Sequence, residues 1–344
     1  MLLLCGSFIS GADIRWLERD YDFGLFKEIA GPKTGRSRFV NTGRDTLAIV
    51  DVKPSCGCTS ADFTKTPLAP GDTAFVSYTY DPAMRPGRFD KSVRVTLSDG
   101  SRHVLRIRGN VLGTPESLAT LYTVDAVDMR LSDGLISFGE VTRGRKPVAF
   151  VNAYVLSQDS IVPLLESDSN AVVAESSLAK AGPGDVVTFT VTLDSRKAPQ
   201  YGPARYRLHY PGKNDVAGAQ VEVRSEIIPD REQLAIHQQG KNPSARISAK
   251  ILDFSSRASG DPVPMEFEIV NEGKGDLEIF SIYAENGAIK IGSYPAKIKK
   301  GKSARVGVAV DMNELPAGPR RFALKILTND PVKPVQNLEI VTNK

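Results

Sequence analysis

The chain has 344 residues, with 44 basic and 40 acidic side chains and a net charge of +4. Hydrophobic residues at 41% and charged residues at 24% exclude a disordered chain, and the length suits two or three domains. The charge is spread as 16 basic against 12 acidic residues over 13–113, 11 against 14 over 114–229, and 17 against 14 over 230–344. With no basic stripe interleaved with aromatics, a nucleic-acid partner is not expected.

At the N-terminus, Met1 to Ile9 is a short apolar run. It is followed by Ser10-Gly11-Ala12, small residues at the positions a signal peptidase reads, and then by Asp13. Residues 1–12 read as a secretory signal that lacks its basic leading segment, as a late-assigned start or a weak signal would. An ordinary buried strand is the plainer alternative, and acylation of Cys5 in a lipoprotein is a third. The expected location is across the inner membrane, in the periplasm or on the outer surface, with lipid anchoring through Cys5 as a second form. No later stretch approaches the ~20 apolar residues of a membrane span, so no transmembrane segment is expected.

Further along, five landmarks recur in one order. An alternating run leads into Tyr21-Asp22-Phe23-Gly24, Ile136-Ser137-Phe138-Gly139 and Leu252-Asp253-Phe254-Ser255. A strand ending in asparagine follows: Phe39-Val40-Asn41, Phe150-Val151-Asn152 and Ile269-Val270-Asn271. Then come turns at Gly71, Gly184 and Gly301, strands closing on Asp81, Asp194 and Asp311, and glycine corners at Gly87, Gly202 and Gly318. The turn glycines are 113 and 117 residues apart, and the aspartates keep the same spacings. The unit is repeated three times.

Within the unit, Val187, Phe189, Val191 and Leu193 alternate with threonines. Val76, Tyr78 and Tyr80, and Val306, Val308 and Val310, keep that register. Period-2 alternation means strands with one buried and one wet face, and short β-branched strands between Gly turns predict sandwiches of about seven strands. The predicted fold is all-β: three tandem immunoglobulin-like β-sandwich domains at 13–113, 124–229 and 244–344. Gly113-Thr114-Pro115-Glu116 and Gln238 to Pro243 have linker character, and 230–239 could form a short connecting helix. Limited proteolysis is therefore expected near 113–125 and 229–245.

Phe39-Val40-Asn41-Thr42-Gly43, Ser55-Cys56-Gly57-Cys58-Thr59 and Leu68-Ala69-Pro70-Gly71-Asp72 resemble a bacterial domain-of-unknown-function family, number fifteen-seventy-three, whose signature is Ser-Cys-Gly-Cys-Thr. The resemblance covers roughly residues 22–111, and repeats two and three keep the frame without the cysteines. It implies an immunoglobulin-like fold, a cell-envelope setting and kinship with ASPM/SPD-2/Hydin-type modules. The family carries no assigned activity.

Cys56 and Cys58 hold the one chemically distinctive pattern, and three readings stand. The pair forms a structural turn, closed by a tight disulfide or packed as small apolar residues. It serves thiol redox chemistry. Or two thiolates hold copper(I), while zinc, which wants four ligands, lacks a second pair. His103, His209 and His237 are scattered, and Asp81, Asp194 and Asp311 recur as turn residues that bond their own backbone. No nucleophile elbow, phosphate loop or zincin motif occurs, so neither an enzyme nor a cofactor is expected.

The functional expectation is a non-catalytic envelope scaffold or adhesion-like protein that binds another protein. The alternative is a thiol-redox or copper-handling protein centred on Cys56 and Cys58. The mature chain should begin at or near Asp13, outside the cytoplasm. N-terminal sequencing of native protein checks this, and retention of Leu2 to Ala12 in a cytosolic fraction would refute it.

Overall fold

The computed structural model describes residues 14–210, 220–238, 240–256 and 264–344. The signal-peptide reading of 1–12 lies outside the described residues.

Domain one comprises β1 (Ile14–Glu18), β2 (Tyr21–Lys27), β3 (Lys33–Asn41), β4 (Ile49–Pro54), β5 (Thr59–Phe63), β6 (Thr73–Tyr80), β7 (Gly87–Leu97) and β8 (Arg102–Leu112). Two four-stranded sheets, β1-β3-β6-β5 and β2-β8-β7-β4, face each other. After α1 (Pro115–Leu121), domain two has β9 (Val124–Ala126), β10 (Met129–Leu131), β11 (Leu135–Thr142), β12 (Val148–Val155), β13 (Glu166–Ser167), β14 (Val172–Ser176), β15 (Val186–Leu193), β16 (Gly202–His209) and β17 (Gln220–Ile228). Its sheets run β14-β15-β12-β10-β9 and β11-β17-β16-β13. After α2 (Arg231–Gln238), domain three has β18 (Ala245–Ile247), β19 (Ile251–Asp253), β20 (Met265–Asn271), β21 (Leu277–Ala284), β22 (Ile289–Ile291), β23 (Lys297–Ile298), β24 (Ser303–Val310), β25 (Pro319–Thr328) and β26 (Val335–Asn343). Its sheets are β18-β20-β24-β22 and β19-β26-β25-β21-β23.

The same plan is thus built three times, and each copy encloses its own apolar core. In β15 the four odd-numbered apolar residues are fully buried, and the threonines between them face outward. Each such side chain contributes about 1.5–3 kcal/mol through burial, which holds the strand in register. The first landmark of each repeat forms a strand parallel to the last strand of its domain: Tyr21 pairs with Ile107, Ile136 with Val223 and Leu252 with Ile340. Asp81, Asp194 and Asp311 each accept the amide two residues on, the backbone-bonding role their recurrence implied.

One landmark is misaligned. Buried Asn41 donates to the carbonyls of Asp45 and Leu68 and accepts the Gly43 amide; Asn271 does the same with Gly275, Ile298 and Gly273. Asn152 instead lies exposed on the outer face and accepts the Thr188 hydroxyl. Val155 makes the paired backbone bonds to Asp185 and Gly184 that Asn41 makes to Asp72 and Gly71. A Phe-Val-Asn triplet recurs by coincidence three residues early, and an odd offset turns a side chain to the opposite face.

The stretch with linker character, Gly113 to Glu116, leads into a helix. Thr114 caps α1 by accepting the Ser117 amide, and Pro115 occupies the first turn. Leu118 and Tyr122 pack against Tyr154 of domain two. The second connector forms α2, close to the segment expected, and none of its residues is buried. The structure therefore favours early proteolysis near 229–245 and protection of 113–125.

At the first junction, glycines are needed for space as well as for conformation. Gly87 and Gly184 sit at φ of 105° and 76°. A Cβ on Gly87 would lie 2.4 Å from Val186 Cγ2, and one on Gly184 would lie 2.7 Å from Leu112 Cδ2. Gly87→Ala should cost about 2–3 kcal/mol by denaturant unfolding, about 1 of it from the left-handed backbone and the rest from the clash. In a Val186→Ala background the clash part should vanish, and an unchanged cost there would show that the junction is not packed as described.

Candidate functional site

Three places concentrate polar or reactive groups: the Cys56–Cys58 corner and the two domain junctions.

The corner is the turn that carries the chain from β4 in one sheet to β5 in the other. Ser55 anchors it, its amide bonding the Ser92 carbonyl at 2.8 Å and its hydroxyl accepting the Ser92 amide at 3.1 Å. At the far side, Asp81 N donates to the Cys58 carbonyl at 2.9 Å. Cys56 and Cys58 are joined by a disulfide, with Cα atoms 5.3 Å apart. Gly57 between them is exposed and has open space around it. Cys58 is buried at 8% exposure among Tyr80, Phe89 and Val111, with Phe23, Phe26 and Cys56 partly buried around them. The Tyr80 and Phe89 rings stack at 3.8 Å, and burial pushes the Tyr80 phenol up. The bridge thus belongs to an aromatic cluster beneath the first junction. In this oxidised form neither sulfur is the thiolate that copper(I) requires, so redox or metal chemistry here would begin with reduction.

The histidines are not brought together. His103 lies in domain one beside Trp16, its imidazole pushed down by burial and by Arg19; His209 lies in domain two, 3.8 Å from Glu166; His237 is on α2. Among the described residues, no group of three or more His, Cys, Asp or Glu is arranged to hold a metal ion.

The first junction is centred on Glu28, 8% exposed at the end of β2. Its carboxylate accepts the Met84 amide at 2.7 Å, the Thr114 amide at 2.9 Å and the Ser117 hydroxyl at 2.6 Å, so it grips the start of α1. Burial pushes the carboxyl up, but these bonds outweigh it and hold the group below the usual carboxylate range. On the other side of the junction, Tyr154 Oη accepts the Gly113 amide at 2.9 Å. Asp185 of the repeated turn, 4% exposed, accepts Arg88 Nε from domain one at 2.6 Å and Asn110 Nδ2 at 3.3 Å.

The second junction uses a lysine. Lys325 Nζ of domain three lies 2.6 Å from Glu226 and 3.0 Å from Glu140, both of domain two. Burial lowers its ammonium, and the bonds to Glu226 and Glu140 raise it by more. Tyr283 donates its hydroxyl to Glu226, and burial followed by that bond pushes the phenol far up. Beside them Tyr201 and Phe280 stack across the boundary at 4.3 Å. Sequence reading missed Glu28, Tyr154, Glu226 and Lys325. Each stands alone in its strand or turn, so no motif signals it; the repeat made visible the turn glycine Gly184, beside Asp185.

The fold and junctions define an all-β protein of serially packed immunoglobulin-like sandwiches. Residues 14–111, its first domain, match the model of a family described as a protein of unknown function (DUF1573). No curated protein matches the chain. Similar solved structures include a protein of unknown function from Porphyromonas gingivalis W83, 16% identical, covering 63% of this chain and all of its own, with a TM-score of 0.47. A PapD-like domain of human CEP192 is 13% identical over 29% of this chain and 84% of its own, with a TM-score of 0.22. The YadV chaperone is 9% identical over 62% of this chain and all of its own, with a TM-score of 0.23.

The bridge closes a very small loop, so the chain entropy it removes is small. Replacing both cysteines by alanine should leave the fold intact and cost about 1–2 kcal/mol in denaturant unfolding, chiefly through lost packing at position 58. A loss above about 4 kcal/mol would show the bridge to be a staple of the whole domain.

Proposed function

We propose that the protein is a non-catalytic scaffold of the cell envelope, exported by residues 1–12, that holds a partner protein at a set distance. The observation that carries this is the first junction. Glu28, Tyr154 and the Arg88–Asp185 pair tie domain one, α1 and domain two together, and Gly87 and Gly184 let the surfaces close to contact. Such ordering of two sandwiches costs conformational freedom that a flexible tether would keep. It suits a protein whose work depends on spacing and orientation. Sheet edges and exposed loops offer a partner its docking places.

The test is crosslinking in cells, followed by isolation from the envelope fraction, for the parent and for Gly87→Ala combined with Glu28→Gln. A discrete crosslinked partner, recovered several-fold less with the loosened but folded variant, supports the reading. A wholly cytosolic protein, or partner recovery indifferent to the junction, would overturn it.

A further inference from the structure

The two connector helices sit at equivalent places and are treated differently. In domain one the turn after β2 supplies Glu28, whose carboxylate is bound directly to α1. In domain two the equivalent turn after β11 is Thr142-Arg143-Gly144-Arg145-Lys146, and no acid stands there. The turn, the segment 196–201 and α2 enclose instead an open cleft of about 450 Å³. Arg143, Arg145 and Arg196 line it together with Tyr201 and Asp230.

Arg143 is held in place, Arg145 and Arg196 are exposed, and among the described residues none of the three is paired with a carboxylate. The Arg143 guanidinium lies over the Tyr201 ring at 4.8 Å, and its Nη2 donates to the carbonyls of Arg196 at 3.3 Å and Ala198 at 3.1 Å. Arg196 lies against the Gly144 backbone, where a Cβ would be 3.7 Å from its Nε. Among the described residues no carboxylate forms an ion pair with any of the three, whereas neighbouring Lys146 is neutralised by Asp194 at 2.8 Å. Asp230 already uses Oδ1 to cap α2 through the amides of Glu232 and Gln233. Three arginines against one aspartate leave two positive charges in the cleft. Gathering like charges is unfavourable unless an anion offsets them, and guanidinium forks match tetrahedral oxyanions.

We propose that this cleft binds a phosphate-type oxyanion, either free in solution or carried on a lipid headgroup. The anion takes the place that the Glu28 carboxylate fills at the first junction, and it links domain two to α2.

Calorimetric titration with inorganic pyrophosphate, against sodium chloride at equal ionic strength, tests the site on the full chain. The parent should bind, Arg145→Ala with Arg196→Ala should weaken binding at least tenfold, and Arg320→Ala, an exposed arginine elsewhere, should leave it unchanged. Bound pyrophosphate should also slow proteolytic cleavage in α2 several-fold. In parallel, sedimentation with phosphatidylglycerol or phosphatidylcholine vesicles identifies the source. Selective pelleting with phosphatidylglycerol that the double variant loses points to a headgroup; pyrophosphate binding without pelleting points to a soluble oxyanion. No binding in either arm, or binding that the double variant retains, overturns the proposal.

Discussion

Contact between domains one and two depends on two positions where any side chain would collide with the opposite domain. Gly87 and Gly184 face atoms of the opposite domain at distances that forbid a Cβ, and both hold left-handed backbone. The polar bonds around them are possible only because the surfaces approach so closely. Arg88, next to Gly87, reaches the carboxylate next to Gly184, and Gly113 meets the Tyr154 hydroxyl. With the carboxylates of Glu28 and Asp185 buried and hydrogen-bonded, loss of one partner leaves a charge out of water and unsatisfied, which costs more than the bond itself contributes.

The repeat, the sheet faces and the turns were legible because they are periodic. Val187 to Leu193 alternates, and glycines with positive φ recur at fixed intervals; both follow from local backbone physics. Asn152 shows the limit of that reading, since a matching triplet carries no information about which face it occupies. The α1 helix was written in Thr114 and Pro115, but so short a segment also reads as a linker. Glu28 and Lys325 were illegible for a different reason. Their roles arise from residues 56 to 185 positions away, and one sequence does not reveal such pairings.

The cysteine pair was visible as a pattern and undetermined as chemistry. Its setting at Tyr80, Phe89 and Val111 makes it part of the end of the domain-one core, directly beneath the contact with domain two. A change in its bonding would therefore be felt first by the aromatic cluster and then by the junction above it.

In every domain the strand near the start of the fold lies parallel to the last strand, side by side in one sheet. When such a domain is stretched from its two ends, these neighbours slide past each other and their hydrogen bonds bear the load together instead of opening one after another. Five residue pairs share that load in domain one and six in domain two, but among the described residues only three do so in domain three. Tension along the chain would thus find its weakest clasp in the third sandwich, leaving the first two and their junction intact while the third yields.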